Sequence, residues 1–129
     1  LALVLAVLGR HAGVGVGSAD VFVNVAGGVR VDEPGADLAV ALAVAGAVRG
    51  MPLEAGGRPA TPVCCFGEVG LTGELRTVGH PDRRLAEARK FGLDPVVAPV
   101  GSGSGATEAP TLRAALKRVL PGAQRARAA

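Results

Sequence analysis

The chain has very few aromatic residues. It contains no Trp and no Tyr, and Phe occurs only at Phe22, Phe66 and Phe91. Aromatic side chains are the platforms on which many proteins stack the bases of single-stranded nucleic acids. Their scarcity therefore disfavours that class of binding protein. The apolar residues are mostly Ala, Val and Leu, which suit close packing of helices on a sheet.

Cysteine and histidine, the common ligands of zinc, are also scarce. The two cysteines, Cys64 and Cys65, are adjacent, so in an extended strand their side chains point to opposite faces and are poorly placed to share a metal. His11 and His80 are the only histidines. The sequence therefore predicts no metal site and two free thiols, as is typical of the reducing cytoplasm.

Motifs that mark common enzymes are missing too. There is no G-x-x-x-x-G-K-[ST] phosphate loop, and the glycines at 13–17 precede a predicted strand instead of following one. The serines, Ser18, Ser102 and Ser104, all lie beside glycine in predicted loops, and neither histidine has a recognisable triad context. These observations predict no catalytic site in the chain.

Long apolar runs are absent. The stretches at residues 1–8 and 38–48 are too short to span a bilayer, so we expect no membrane partner. Basic residues outnumber acidic ones by 14 to 11, and all the basic residues except Lys90 and Lys117 are arginines. Arginine suits phosphate contacts, although an Ala-, Gly-, Val- and Arg-rich composition is also typical of a GC-rich genome.

Apolar periodicity and turn residues predict a single α/β (α+β) domain, with helices packed on a mixed sheet. Helices are predicted at 1–10, 37–49, 81–91 and 111–120, strands at 20–26, 29–32, 62–66 and 95–99, and a hairpin across 67–78. In the third helix Leu85, Ala88 and Phe91 are expected to face inward. We expect residues 101–105 to form a flexible Gly/Ser linker and residues 121–129 a disordered tail.

Three stretches in this order carry a specific resemblance: DVFVNVAGGVRVDEPGADLAVALAVAGAVRGMPL at 20–53, FGEVGLTGELRTV at 66–78, and RRLAEARKFGLDPVVAP at 83–99. Together they resemble the C-terminal domain of the RadA (Sms) family of bacterial DNA-repair proteins. That domain is itself similar to the proteolytic domain of Lon proteases. The resemblance covers residues 1–120, which we interpret as one Lon-protease-like domain.

The resemblance implies a ribosomal protein S5 domain 2-like fold that assembles into homo-oligomeric rings, as hexamers. It also implies a cytoplasmic role with DNA as partner, in recombinational repair and branch migration. ATP, Mg and Zn are expected only in the domains that precede this one in the family, and not as cofactors of this chain.

Lon-type peptidases use a serine nucleophile and a lysine general base. Matching the family pattern places Gly35 at the serine position and Asp82 at the lysine position, so the resemblance implies a degenerate dyad and no enzyme activity. Two alternatives stay open at this stage: a divergent Lon-type serine peptidase, and a purely structural oligomerisation domain.

The candidate DNA contacts are basic side chains. They are Arg30, Arg76, Arg83 and Arg84, with Arg10, Arg89 and Lys90 as weaker additions. Positions 83, 84, 87 and 90 share one helix face, where Glu87 interrupts the positive charge. The functional interpretation is backbone contact with duplex DNA without sequence reading. A solvated helix face, or salt bridges between subunits, would account for the same pattern.

Overall fold

The computed structural model describes residues 1–24, 26, 32–54 and 62–120. Its helices are α1 (Ala2–His11), α2 (Asp37–Arg49), α3 (Pro81–Lys90) and α4 (Leu112–Val119). Its strands are β1 (Cys64–Cys65), β2 (Glu68–Val69), β3 (Leu75–Arg76), β4 (Val96–Pro99) and β5 (Ala106–Ala109). The mixed α/β class predicted from the sequence is confirmed.

The helices begin and end at residues whose chemistry favours a boundary. Before α2, a short 3₁₀ turn at Pro34–Ala36 is capped by the side chain of Glu33, and α2 ends at Gly50, whose φ of 61° is left-handed. Pro81 lies in the first turn of α3, where its missing N–H costs nothing. Thr111 caps α4, because its side chain accepts a hydrogen bond from the Ala114 amide.

The described strands form two small sheets. In the first, three parallel strands lie in the order β1-β4-β5, and Val96 of β4 pairs with both Cys64 and Ala106. In the second, β2 and β3 pair antiparallel, with Val69 opposite Leu75. The hairpin predicted at 67–78 is thus confirmed, because the glycines between the two strands allow a tight turn.

The three-stranded sheet separates two apolar clusters. One side holds the larger core, in which Val97 packs with the buried faces of α1, α2 and α4. The other side holds a smaller cluster, in which Val96 and Ala98 pack with Leu85 and Ala88 of α3. Because side chains alternate along a strand, α3 lies on the opposite face of the sheet from α4.

The strand predicted at residues 20–26 is wrong for the residues that the structure describes there. Residues 20–24 form no strand, and Phe22 is 91% exposed. Valine and phenylalanine favour a strand only when a neighbouring strand supplies partners, and this segment borders α2 instead. The strand predicted at 29–32 falls almost entirely outside the described residues, and so does the tail at 121–129.

The predicted Gly/Ser linker is wrong as well. Ser102 is 4% exposed, and its hydroxyl donates to the Pro99 carbonyl at 2.7 Å. The segment packs on α3, since a Cβ at Gly103 would lie 3.3 Å from Leu85. It leads into β5, whose sequence Ala-Thr-Glu-Ala has little strand propensity and is ordered by its pairing with β4.

One burial prediction also needs correction. Phe91 was expected to face inward but is 71% exposed, because α3 ends at Lys90 and the chain turns away at Gly92, with φ of 65°. The first helix is buried on one face only. Val4, Val7 and Leu8 are in the core, whereas Leu3 is 44% exposed.

Candidate functional site

The turn before α2 is held against the hairpin by a set of backbone hydrogen bonds. The Gly67 amide donates to the Gly35 carbonyl at 3.0 Å, and the Leu38 amide donates to the Gly67 carbonyl at 3.1 Å. The Asp37 carboxylate accepts from the Val69 amide at 3.1 Å. These bonds fix position 35, where the resemblance places the serine of a Lon-type peptidase.

The space beside Gly35 is filled by an ion pair. A Cβ added to Gly35 would lie 2.9 Å from Arg84 Nη1 and 2.9 Å from Glu33 Oε1. These two side chains pair with each other, with 2.9 Å between Arg84 Nη2 and Glu33 Oε1. At the position that the resemblance assigns to the nucleophile, this chain therefore has backbone covered by a carboxylate and a guanidinium.

Arg84 is held in place by three further contacts. Its Nε donates to the Gly79 carbonyl at 2.9 Å, and its guanidinium lies 5.7 Å from the centre of the Phe66 ring, within the range of a cation–π contact. Its backbone amide donates to the His80 carbonyl. Arg84 consequently connects α3 to the turn before α2, and its side chain is only 29% exposed.

Glu33 is stabilised as a carboxylate at this site. The amide of Gly35 donates to Oε1 at 2.9 Å, and this bond, followed by the bond from Arg84, lowers the pKa of Glu33 below its ordinary value. Hydrogen bonds to the charged form of an acid favour that form. Glu33 is therefore a weak proton acceptor at neutral pH, which makes it a poor general base.

The lowered pKa of Glu33 predicts a specific pH dependence of stability. Since the folded state holds this proton less tightly than the unfolded state, the stabilisation is present at neutral pH and disappears as pH falls through the folded pKa. Glu33→Gln should lower Tm at pH 7, and its difference from the parent chain should shrink toward pH 3. Thermal unfolding followed by circular dichroism across this range measures both effects.

The control for this experiment is Glu87→Gln. Glu87 pairs with Lys90 at 3.3 Å on the exposed face of α3, and exposed pairs of this kind contribute little to stability. Its Tm should follow that of the parent chain at each pH. A constant Tm difference for Glu33→Gln from pH 7 to pH 3 would contradict the assignment.

Asp82, where the resemblance places the lysine of a Lon-type peptidase, lies exposed in the first turn of α3. Among the residues that the structure describes, its carboxylate has neither a hydrogen-bond partner nor an ion-pair partner. A carboxylate in the first turn complements the positive end of the helix dipole. That position gives Asp82 a structural role that requires no partner at residue 35.

Several candidate DNA-contacting side chains already have acidic partners. Arg76 pairs with Glu74 at 3.3 Å, Lys90 pairs with Glu87, and Arg84 pairs with Glu33. The other described candidates, Arg10, Arg83 and Arg89, are exposed and form no ion pair with a described residue, and Arg30 lies outside the described residues. The guanidinium of Arg89 covers Gly105.

The sequence analysis did not include one set of exposed cations among its candidates for DNA contact. Arg113, Lys117 and Arg118 are all exposed on α4, opposite its buried residues. The sequence did carry a signal for them: the leucines at 112 and 116 mark the buried face of a helix, and the spacing of the three cations places them on its opposite, exposed face. The Glu33–Arg84 pair had no such signal, because the two residues are 51 positions apart.

The described residues hold no group of three or more side chains suited to a metal ion. The thiols of Cys64 and Cys65 are free. Burial, and to a smaller extent the neighbouring Cys64, raises the pKa of Cys65 to about 12, and burial also raises the pKa of Cys64. Both are protonated at neutral pH, when they are weak nucleophiles and weak metal ligands.

The geometry thus defines a mixed α/β domain in which the turn before a central helix is fixed against a β-hairpin. No protein-family model matches the chain. It is 46% identical over 104 residues to the DNA repair protein RadA of Brucella abortus, and the alignment covers 80% of this chain and 21% of that protein. The chain is also 44% identical over 102 residues to the RadA of Escherichia coli K12, an alignment that covers 79% of this chain and 21% of that protein. It is 37% identical over 108 residues to the RadA of Bacillus subtilis, with 84% of this chain and 22% of that protein covered.

The chain is therefore homologous to one segment of the RadA proteins, as the resemblance of its three stretches predicted. It spans about a fifth of the length of the curated relatives that it matches. In the described part of the chain, none of the helices has the length and apolar content needed to cross a membrane.

Proposed function

We propose that this chain is a noncatalytic Lon-like domain of a RadA-type DNA-repair ATPase. Its roles would be ring assembly and sequence-independent binding of DNA, during recombinational repair and branch migration in the cytoplasm. The homology to proteins named for DNA repair supports the biological setting. The geometry at residue 35 supports the absence of peptidase chemistry, and it is the observation on which the proposal depends.

Serine-type peptide cleavage needs a hydroxyl, a base that accepts its proton, and space for the scissile carbonyl. Residue 35 has no side chain, and Glu33 and Arg84 occupy the adjacent volume. Loss of a nucleophile removes the covalent route entirely. In the architecture that the resemblance implies, ATP hydrolysis belongs to a separate domain, and we assign no nucleotide chemistry to this one.

Gly35→Ser should therefore fail to create a peptidase. The new hydroxyl would meet an arginine that stays protonated and a carboxylate that is a weak base, so nothing nearby activates it. We expect no labelling by a fluorophosphonate probe and no cleavage of casein. The same result is expected when Asp82→Lys is added.

Gly35→Ala is the matched control, since it adds the same Cβ without the hydroxyl. Labelling of Gly35→Ser at residue 35, with casein cleavage that Gly35→Ala lacks, would show that the crevice is competent for acyl transfer. It would favour the alternative of a divergent Lon-type peptidase.

DNA binding is proposed to depend on charge. The chain has a formal net charge of +3 and no Trp or Tyr on which to stack bases, so contact with the phosphate backbone is the mode that its composition favours. A labelled duplex titrated in a series of KCl concentrations should show affinity that falls steeply with salt. It should not depend on base sequence.

The alternative of a purely structural ring domain is favoured by one observation, the neutralisation of Arg76, Arg84 and Lys90 by acidic neighbours. Native mass spectrometry tests ring assembly independently of DNA. Ring-sized species together with no duplex binding at low salt would favour the structural role over the proposed one.

A further inference from the structure

Helix α4 presents only positive charge to solvent. Its exposed residues are Arg113, Lys117 and Arg118, and it contains no acidic residue. None of the three forms an ion pair with a residue that the structure describes. By contrast, α3 carries Asp82 and Glu87 among its exposed cations, and two of its four cations are paired.

The three cations lie on the solvent-facing half of the helix, opposite its buried residues. Residues 113 and 117 are one turn apart on the same stripe, and residue 118 lies about 100° farther around the helix from residue 117. At about 1.5 Å per residue they span roughly 7.5 Å of the helix axis. That length corresponds to about two phosphates along one strand of duplex DNA, at roughly 3.4 Å of axial rise each.

The opposite face of α4 decides what kind of polyanion this surface suits. Leu112, Ala115, Leu116 and Val119 are all buried in the larger core. A helix binds a membrane surface by inserting an exposed apolar face between the lipids, and α4 has none to insert. Only its charge is accessible, which suits a partner that is itself a regular array of exposed anions.

We propose that Arg113, Lys117 and Arg118 form a binding surface for the phosphate backbone of duplex DNA, here named the α4 basic face. The proposal rests on the proposed DNA-binding function and identifies where that function is located. Because α3 and α4 lie on opposite sides of the three-stranded sheet, the α4 basic face is separate from the sequence-based candidates on α3. All three cations of the α4 basic face lack an acidic partner among the described residues, whereas two of the four cations on α3 have one, and this difference favours α4.

The test compares two variants of equal charge. Arg113→Gln/Lys117→Gln/Arg118→Gln removes three charges from α4, and Arg83→Gln/Arg89→Gln/Lys90→Gln removes three from α3. Either change removes three positive charges and so lowers the formal net charge from +3 to zero. The full chain is titrated with a labelled duplex in a KCl series, with circular dichroism to confirm that each variant is folded.

The α4 variant should weaken duplex binding at low salt by about tenfold or more. It should also reduce the slope of log K against log salt by roughly 2–3, since each lost phosphate contact removes about 0.9. The α3 variant should have the smaller effect on both quantities. Arg113→Lys/Arg118→Lys keeps the charge and should retain binding within about threefold, because backbone contacts depend mainly on charge.

Equal losses in the α4 and α3 variants would overturn the proposal, because only net charge would then matter. Unchanged binding in the α4 variant would also overturn the proposed location, but it would leave the proposed DNA-binding function intact. A parent chain that binds no duplex would instead refute the proposed function itself. Tighter binding to phosphatidylserine vesicles than to duplex, abolished in the α4 variant, would assign the surface to a membrane.

Amide chemical shifts supply a readout that needs no variant. Adding duplex to the isotopically labelled parent chain should perturb the amides of residues 112–119 more than those of residues 81–90. The reverse pattern would place the DNA on α3 and contradict the proposal.

Discussion

Leu42→Ala should lower the free energy of unfolding by about 2–5 kcal/mol, the range for truncating a buried leucine. Leu42 lies in the middle of α2 and is 1% exposed, in the core shared with α1 and α4. The change removes apolar contacts and leaves a cavity that rigid neighbours fill only in part. Since whole domains have stabilities of about 5–15 kcal/mol, the loss is a large fraction of the total.

Urea unfolding measures this effect as a lower midpoint with an unchanged slope. Val48→Ala is the control on the same helix, because Val48 is 45% exposed and its truncation should change stability by less than about 0.5 kcal/mol. Equal losses for the two variants would mean that α2 is not the centre of the core. Loss of packing around α2 would also affect the candidate site, because the turn that contains Gly35 directly precedes this helix.

Local sequence signals predicted the described elements well where a boundary residue fixes the backbone. The bounds of α2 match the helix predicted at 37–49, and residues that fix the backbone lie beside both ends: Pro34 precedes the start and Gly50 follows the end. The glycines of the hairpin and the proline of α3 acted in the same way. Proline restricts the backbone angles, and glycine permits left-handed ones, wherever they occur in a chain. Their effect on where an element begins or ends can therefore be predicted without knowing the fold.

Elements ordered by distant partners could not be predicted in this way. Strand β5 exists because β4 pairs with it along its whole length, and its own residues carry almost no strand signal. The opposite error occurred at residues 20–24, where strand-forming residues form no strand. In both places pairing, and not propensity, determines whether a strand forms.

The candidate site shows the same division. The resemblance placed the peptidase serine position at Gly35, but it could not reveal that a residue from α3 covers Gly35. Helical spacing placed Arg84 on an outward face with Arg83, and yet its side chain turns back to Glu33 and Gly79. Spacing along a helix predicts direction, whereas the reach of a long side chain depends on what the fold brings near it.

The hairpin provides the second large effect on stability. Gly73 has φ of 85°, which L-residues adopt at a cost of about 1–2 kcal/mol. Its amide donates to the Gly70 carbonyl, and its carbonyl accepts from the Leu112 amide at 2.8 Å, so the hairpin is tied to the start of α4. A Cβ at this position would lie 2.9 Å from the Cβ of His11 in α1, a distance that the backbone must shift to relieve.

Gly73→Ala should therefore destabilise the chain more than Gly13→Ala. Gly13 also has a left-handed φ, 71°, but a Cβ there would have no atom within 4 Å. Gly13→Ala should therefore lose only the stability that an unfavourable backbone conformation costs, with no added steric clash. Urea unfolding of both variants isolates the contact with His11 as their difference. If the two lose equal stability, the hairpin and α1 are not in close contact. A larger loss for Gly73→Ala would show that the hairpin, which fixes Asp37 through Val69, is itself held in place by α1 and α4.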